Sequence, residues 1–271
     1  MIESLGRLLR RIVLWPMALG LSTPSLADCS RAMQVPAAPV GLSMIVSDEG
    51  IGGVYHEVLS GITGCSFLFT PVPRARLEAM FENGRADLLI PAARTPRRDE
   101  FGHFVPLIYA RATLISLNAE RAPVRSLQEL RERKELRVAL VRGFDYGDAY
   151  QALIRDLRAQ GRLFLDVDPV SVGRMLQAGL ADITIMAPSI LVGALLADAR
   201  FKPLIERLRY EPVDELPWVD SGAYISKTSV SEQDRAVLRE ALEKASRSGI
   251  VWKTFQRYYP VGSLADSIKP R

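Results

Sequence analysis

Residues 77–107, LEAMFENGRADLLIPAARTPRRDEFGHFVPL, constrain the fold more than any other stretch of the chain. Leu77, Met80 and Phe81 recur at i, i+3 and i+4, the spacing of one helix face, and Gly84 stands where such a helix stops. The unbroken apolar run 88–92 then predicts a strand buried on both faces, as in a sheet covered by helices. A polar loop, Ala93-Arg94-Thr95-Pro96-Arg97-Arg98, follows beyond the carboxyl end of that strand, where open α/β sheets hold their ligands. Three arginines crowd it.

The rest of the chain alternates in the same manner. Strands are expected at 33–38 and 66–72, with a helix at 53–63 between them that places Val54, Val58, Leu59 and Ile62 on one side. The long extended stretch 104–117 predicts a strand that leaves one lobe and enters another. A second α/β set follows, with strands at 136–141, 163–167 and 183–187. Its helices include one carrying Tyr150, Leu153, Ile154 and Leu157, one from Ser171, and one opened by Pro188. A shift of 95 positions sets Gly84, Asp87, Leu88 and Ile90 against Gly179, Asp182, Ile183 and Ile185, as two lobes on one plan would. Residues 221–226 then read as a return strand, Ser231 as the cap of an amphipathic helix, and Gly249 as the break before a last helix. The tail beyond Pro260 reads as loose. The expected division is a leader at 1–27, lobe one at 28–112, lobe two at 113–220, and a return to lobe one at 221–271, with two crossing strands as the hinge.

The leader is read from Arg7, Arg10 and Arg11, the apolar run 12–21 and the small-x-small site Ser25-Leu26-Ala27, a pattern that predicts export with Asp28 as the new N-terminus. The apolar run is about half of what a membrane span needs. Of the formal net charge of +4, the leader accounts for +2. The modest remainder, with no lysine-rich run or aromatic RNA-binding motif, excludes nucleic acid as the expected partner. In an oxidising compartment the two cysteines, Cys29 and Cys65, are expected to be bridged. The two histidines, His56 and His103, have no neighbours at ligand spacing, so no metal is expected. No cofactor is expected either.

The helix ending at Gly84, Asp87 before the buried strand, Thr95-Pro96-Arg97-Arg98, and Phe101 to Pro106 together resemble the signature of the family 3 extracellular solute-binding proteins. Ser248 to Phe255, with Tyr258 and Tyr259, is similar to that family's closing helix. The resemblance spans nearly all of the chain after the leader. It implies a two-lobed, type II periplasmic-binding-protein fold with two hinge strands, and a periplasmic monomer that carries a small amino acid or organic acid to an ABC transporter permease. Arg98 matches the arginine that grips a ligand carboxylate through its planar fork. Thr95 would add a hydroxyl and an amide, and Ala93 a carbonyl. Arg97 is expected at the surface, since adjacent residues cannot both face the cleft.

Gly143 lies where the family has a Gly-Thr turn at a helix N-terminus, and Phe144 replaces the threonine. Arg74 stands where the family sets an aromatic residue. Ala187 stands where the family sets the aspartate that holds the ligand's ammonium group. With that acceptor gone and Arg74 and Arg94 added, the cleft is expected to lean cationic and its ligand acidic. Closure of the lobes would involve no bond breaking, so no catalytic residue is expected. Two other readings remain open on the sequence. Some proteins of this fold are dehydratases, for which Glu57, Glu78 and Asp145 are the local candidate acids, with Glu57 and Glu78 expected to face water. Others are the input domains of receptors.

Overall fold

A computed structural model describes residues 28–117, 121–260 and 262–271 of the protein, so the expected leader lies outside the described residues. In chain order the first lobe begins with β1 (Met33–Ala37), β2 (Ile45–Ser47), β3 (Gly50–Gly52), α1 (Val54–Ser60), β4 (Phe67–Pro71) and α2 (Arg74–Glu82). It continues with β5 (Leu88–Ala93), α3 (Pro96–Phe101) and β6 (Gly102–Ala110). The second lobe holds β7 (Thr113–Leu117), α4 (Leu127–Glu132), β8 (Val138–Val141), α5 (Asp148–Ala159), β9 (Leu163–Asp166) and α6 (Pro169–Gln177). It is completed by β10 (Ile183–Met186), α7 (Pro188–Leu195), α8 (Lys202–Ile205) and β11 (Leu208–Glu211). The chain then returns through β12 (Val219–Ser226), α9 (Glu232–Arg247), α10 (Ile250–Tyr258) and β13 (Ile268–Lys269). The architecture is the two-lobed α/β fold that the sequence pattern called for.

Each lobe is built on its own sheet. The first has the order β13-β6-β12-β5, with the parallel pair β1-β4 set against β5, where the Asp87 amide donates to the Gln34 carbonyl at 2.9 Å. The second has the order β11-β7-β10-β8-β9. The chain passes between them twice, from β6 to β7 through Arg111 and Ala112, and from β11 to β12 through residues 212–218. Leu88, Leu89 and Ile90 are all buried, as the unbroken apolar run demanded: Leu88 and Ile90 face α1, α9 and α10, while Leu89 packs with Leu77, Phe81 and Tyr224 on the other face. Among the described residues no helix is long and apolar enough to cross a membrane.

The repeat has a structural counterpart. Gly84 and Gly179 both end their helices at φ 66°, a left-handed conformation that a side chain would resist. Three residues on, an aspartate at the head of each following strand accepts from the backbone amide of a neighbouring strand and from an arginine. Asp87 accepts from the Gln34 amide at 2.7 Å and from both terminal nitrogens of Arg31, at 2.6 and 2.8 Å. Asp182 accepts from the Arg137 amide at 2.8 Å and from the Arg137 guanidinium at 3.0 and 3.2 Å. One carboxylate thus stitches two strands together in each lobe.

Three features differ from expectation. The polar loop after β5 is only Arg94 and Thr95 long, because Thr95 caps a helix at once: its Oγ1 accepts from the Arg98 amide at 3.3 Å, and Pro96 follows in the first helical turn. β11 is an edge strand whose Leu208 and Tyr210 alternate with arginine and glutamate in a run too short to show a period. The tail is fastened rather than loose. Leu264, Ser267 and Ile268 are buried, β13 pairs with β6, and the Ser267 hydroxyl accepts from the Ser189 amide at 2.8 Å at the start of α7 in the other lobe. Its polar composition hid two apolar anchors set four residues apart.

Cys29 and Cys65 form a disulfide with Cα atoms 4.9 Å apart, closing a loop of 36 residues that holds the chain before β1 to the start of β4. By the loop-entropy argument such a bridge contributes about 2–4 kcal/mol. Cys29→Ser is therefore expected to lower the unfolding free energy by that amount, and the midpoint of chemical unfolding with it, as is reduction of the wild type. An unchanged midpoint would show that the bridge adds nothing.

Candidate functional site

The site lies between the two sheets and grows out of β5, whose carboxyl end brings Pro91, Ala92 and Ala93 to the gap. The Thr95 cap turns the chain so that Arg98, in the first turn of α3, lies back over that strand end. Its Nη1 donates to the Ala93 carbonyl at 2.8 Å, while Nη2 and Nε donate to the two oxygens of Glu78 at 2.6 and 3.3 Å. Arg74 opens α2 and reaches the same carboxylate, Nη2 to Oε1 at 3.2 Å, the i,i+4 spacing that puts two side chains on one helix face. Its Nη1 donates to the Pro91 carbonyl at 3.2 Å. Arg74 is 5% exposed and Arg98 4%, so both charges stand almost out of water.

The second lobe closes over this pair. The loop after β8 places the Gly143 carbonyl 3.5 Å from Arg74 Nε and the Phe144 ring with its centroid 5.9 Å from the Arg74 guanidinium. Gly143 has φ 87°, and a Cβ there would sit 3.1 Å from the Ala75 backbone, so the close approach of the lobes requires glycine. Asp145, Tyr146, Ala187 and Ile190 complete that wall, and Arg111 enters from the first crossing. The cavity measures about 70 Å³ and is partly open to solvent.

Burial works against both guanidinium charges. At Arg98 the attraction and hydrogen bonds of Glu78 more than offset it, and the pKa is raised. At Arg74 burial prevails, with Arg98 repelling against the pull of Glu78, and the pKa is lowered. Both remain charged, since a guanidinium does not deprotonate in proteins. Burial likewise raises the Tyr146 hydroxyl, against the pull of Arg74. The arrangement can receive an anion: two fixed cations are turned to one cavity, with Glu78 between them and Asp145 on the facing wall.

Of the residues expected from the sequence, Arg74, Ala93, Arg98 and Phe144 line this cavity. Gly143 stands just behind, receiving Arg74. Thr95 is not on the cavity wall: its hydroxyl is spent on the cap, and its amide donates to the Tyr224 hydroxyl at 3.1 Å. Arg94 turns to the outer surface, where it pairs with Asp99 at 3.1 Å and lies over Phe104. Arg97 pairs with Glu82 at the surface, at 2.6 Å. The expectation that Glu78 faces water is corrected, because its carboxylate turns inward to two arginines. Glu57 pairs with Arg257 on the outside of the first lobe. Asp145, a candidate acid on the sequence, lies on the wall, and Arg111 and Tyr146 join it without having been named for it; the position of Arg111 at the crossing was the one signal available for it. Among the described residues no group of histidine, cysteine and carboxylate side chains could hold a metal ion.

No protein-family model matches the sequence, and no curated protein does. Solved structures do match. A histidine kinase sensor domain with similarity to periplasmic binding proteins superposes with a TM-score of 0.67 at 18% identity, covering 86% of this chain and 96% of its own. An ancestral arginine-binding protein bound to arginine gives 0.65 at 15% identity, with 84% and 98% covered. An ancestral amino-acid-binding protein, a precursor of cyclohexadienyl dehydratase, gives 0.63 at 15% identity, with 84% and 95% covered. At such identities the likeness defines the fold alone. The protein thus has the two-lobed fold of the type II periplasmic binding proteins.

Proposed function

We propose that this is an exported solute-binding protein that captures a small carboxylate-bearing solute between its lobes and presents the closed form to a membrane permease. The single observation that carries the reading is the pair Arg74 and Arg98, both nearly out of water, facing one interlobe cavity with only Glu78 to share between them. A solute carboxylate would supply the anion that Arg74 lacks. Arg74 also reaches Gly143, so the same guanidinium that meets the solute meets the closing lobe, and closure is favoured by contacts that an open form cannot make.

The charge surplus is smaller than the sequence reading held. Arg94 faces outward and Glu78 cancels one guanidinium, but an organic acid remains favoured over a basic amino acid because Ala187 offers no acceptor for an ammonium group. A non-enzymatic role fits a wall whose carboxylates are engaged as acceptors: Glu78 by two arginines, and Asp145 by the Gly147 amide and Gln151 Nε2, each at 3.0 Å. The similarity to a histidine kinase sensor domain supports a second reading, delivery of the same solute to a signalling receptor. Calorimetric titration with succinate, glutamate and arginine is expected to show binding of carboxylate-rich solutes and none of arginine. Tight binding of arginine alone would overturn the reading.

A further inference from the structure

The fork of Arg98 is already filled. Its Nη2 and Nε donate to the two oxygens of Glu78 at 2.6 and 3.3 Å, the paired arrangement in which a guanidinium grips a carboxylate, and Arg74 Nη2 adds a third donor to the same Oε1 at 3.2 Å. Glu78 thus holds the place that a solute carboxylate would take. The charges around it are balanced, since Arg74 and Arg98 are matched by Glu78 and by Asp145 on the facing wall, while Arg111 donates to the carbonyls of Leu216 and Val213 at 3.3 and 3.4 Å. A second carboxylate entering beside Glu78 would set two like charges together in a half-buried place. Exchange avoids that, because one carboxylate leaves the pair as the other arrives.

The three side chains differ in what holds them. Those of Arg74 and Arg98 are 6% and 4% exposed, and each is fastened to a β5 carbonyl, Pro91 at 3.2 Å and Ala93 at 2.8 Å. That of Glu78 is 21% exposed, and among the described residues it accepts only from these two arginines. Rotation of its side chain can therefore carry the carboxylate to water while β5 keeps both guanidiniums in place. We propose that Glu78 is an internal competitor, which occupies the arginine pair until a solute carboxylate displaces it and so sets which acids can bind. This rests on the proposed reading of the site and deepens it. Acetate brings one carboxylate and little else, so it is refused. A larger acid adds contacts along the rest of the wall, with Arg111, Phe144 and Tyr146, and displaces Glu78.

Glu78→Gln keeps the size of the side chain and removes the competing charge. In isothermal titration at fixed ionic strength it is expected to bind succinate or glutamate about tenfold more tightly than the wild type, or better, and to bind acetate, which the wild type should not. With the acceptor gone from two buried guanidiniums, the thermal midpoint of the variant is expected to fall, and added acetate should raise it further than it raises that of the wild type. Adding Arg98→Ala to Glu78→Gln should remove the gain in affinity. If Glu78→Gln does not fold, Glu78→Asp, one methylene too short to hold both arginines, is expected to show the same change at smaller size. Affinity that is unchanged or lower in a folded Glu78 variant, with wild-type binding lost in Arg98→Ala, would overturn the inference and leave the proposed function standing, as would a gain that survives Arg98→Ala. Carboxylate binding that is absent from both proteins, or that is indifferent to Arg98→Ala in the wild type, would overturn both.

Discussion

Arg98→Ala is expected to weaken solute binding by about a hundredfold or more, the largest effect that any single substitution at the site should produce. A charge-assisted, two-pronged contact between a buried guanidinium and a carboxylate is worth roughly 3 kcal/mol, and about 1.4 kcal/mol corresponds to tenfold in affinity. Arg98→Lys should recover little of this, because an ammonium group cannot reach Ala93, Glu78 and a solute carboxylate at once as the planar fork does. The loss must be separated from instability. Glu78 retains Arg74 in the variant, so the fold is expected to survive, and circular dichroism on the same samples would verify it. Unchanged affinity in a folded Arg98→Ala protein would remove Arg98 from the site.

The second large effect falls on stability. Asp87 is 1% exposed and accepts from Arg31 and from the Gln34 amide, so Asp87→Ala leaves a strand amide and an arginine without their acceptor at the junction of β1 and β5. A loss of about 2–3 kcal/mol is expected in urea unfolding, since the amide is left unsatisfied while Arg31 is half exposed. A loss below about 1 kcal/mol would show that the sheet holds without this stitch.

The same carboxylate makes stability depend on pH. Burial pushes its pKa up, but the hydrogen bonds from Arg31 and the Gln34 amide pull harder, and the carboxyl is held below its ordinary value of 3.8. Glu211 in the second lobe behaves likewise. Burial raises it, and Arg121, Ser116 and the Val124 amide bring it below 4.5. A carboxyl depressed in the folded state binds fewer protons than in the unfolded chain, so its contribution is complete above the unfolded value and is lost as pH falls through the folded one. Unfolding free energies should therefore be level above about pH 5 and fall steeply below about pH 4, with a shallower fall in Asp87→Ala.

The architecture was legible in the sequence because burial left its mark there. Leu88 to Ile90 had to be covered on both sides, Gly84 and Gly179 had to end helices, and the 95-residue shift paired Asp87 with Asp182 before any contact was known. The site was legible in part. Arg98 and Arg74 could be chosen because the family resemblance set both at ligand-facing positions. The sequence could not show that Arg94, four residues before Arg98, points the other way, since a two-residue loop and an immediate helix cap reverse the direction of the side chains. Nor could it show Glu78 turned inward: α2 carries apolar and charged residues in nearly equal measure around its circumference, and only the burial of Arg74 fixes which side faces the gap. The anchoring of the tail depends on Ser189 and Ser267, 78 positions apart, a separation that no local pattern records.

The most direct measurement is a crystal structure of the protein grown with the tightest-binding carboxylate from the titration series. The account predicts density for that carboxylate between the lobes, with its oxygens within hydrogen-bond distance of the Arg98 and Arg74 guanidiniums and its tail against Phe144. A solute bound elsewhere on the molecule, or a cavity filled only by water while both arginines keep to Glu78 and the β5 carbonyls, would contradict it.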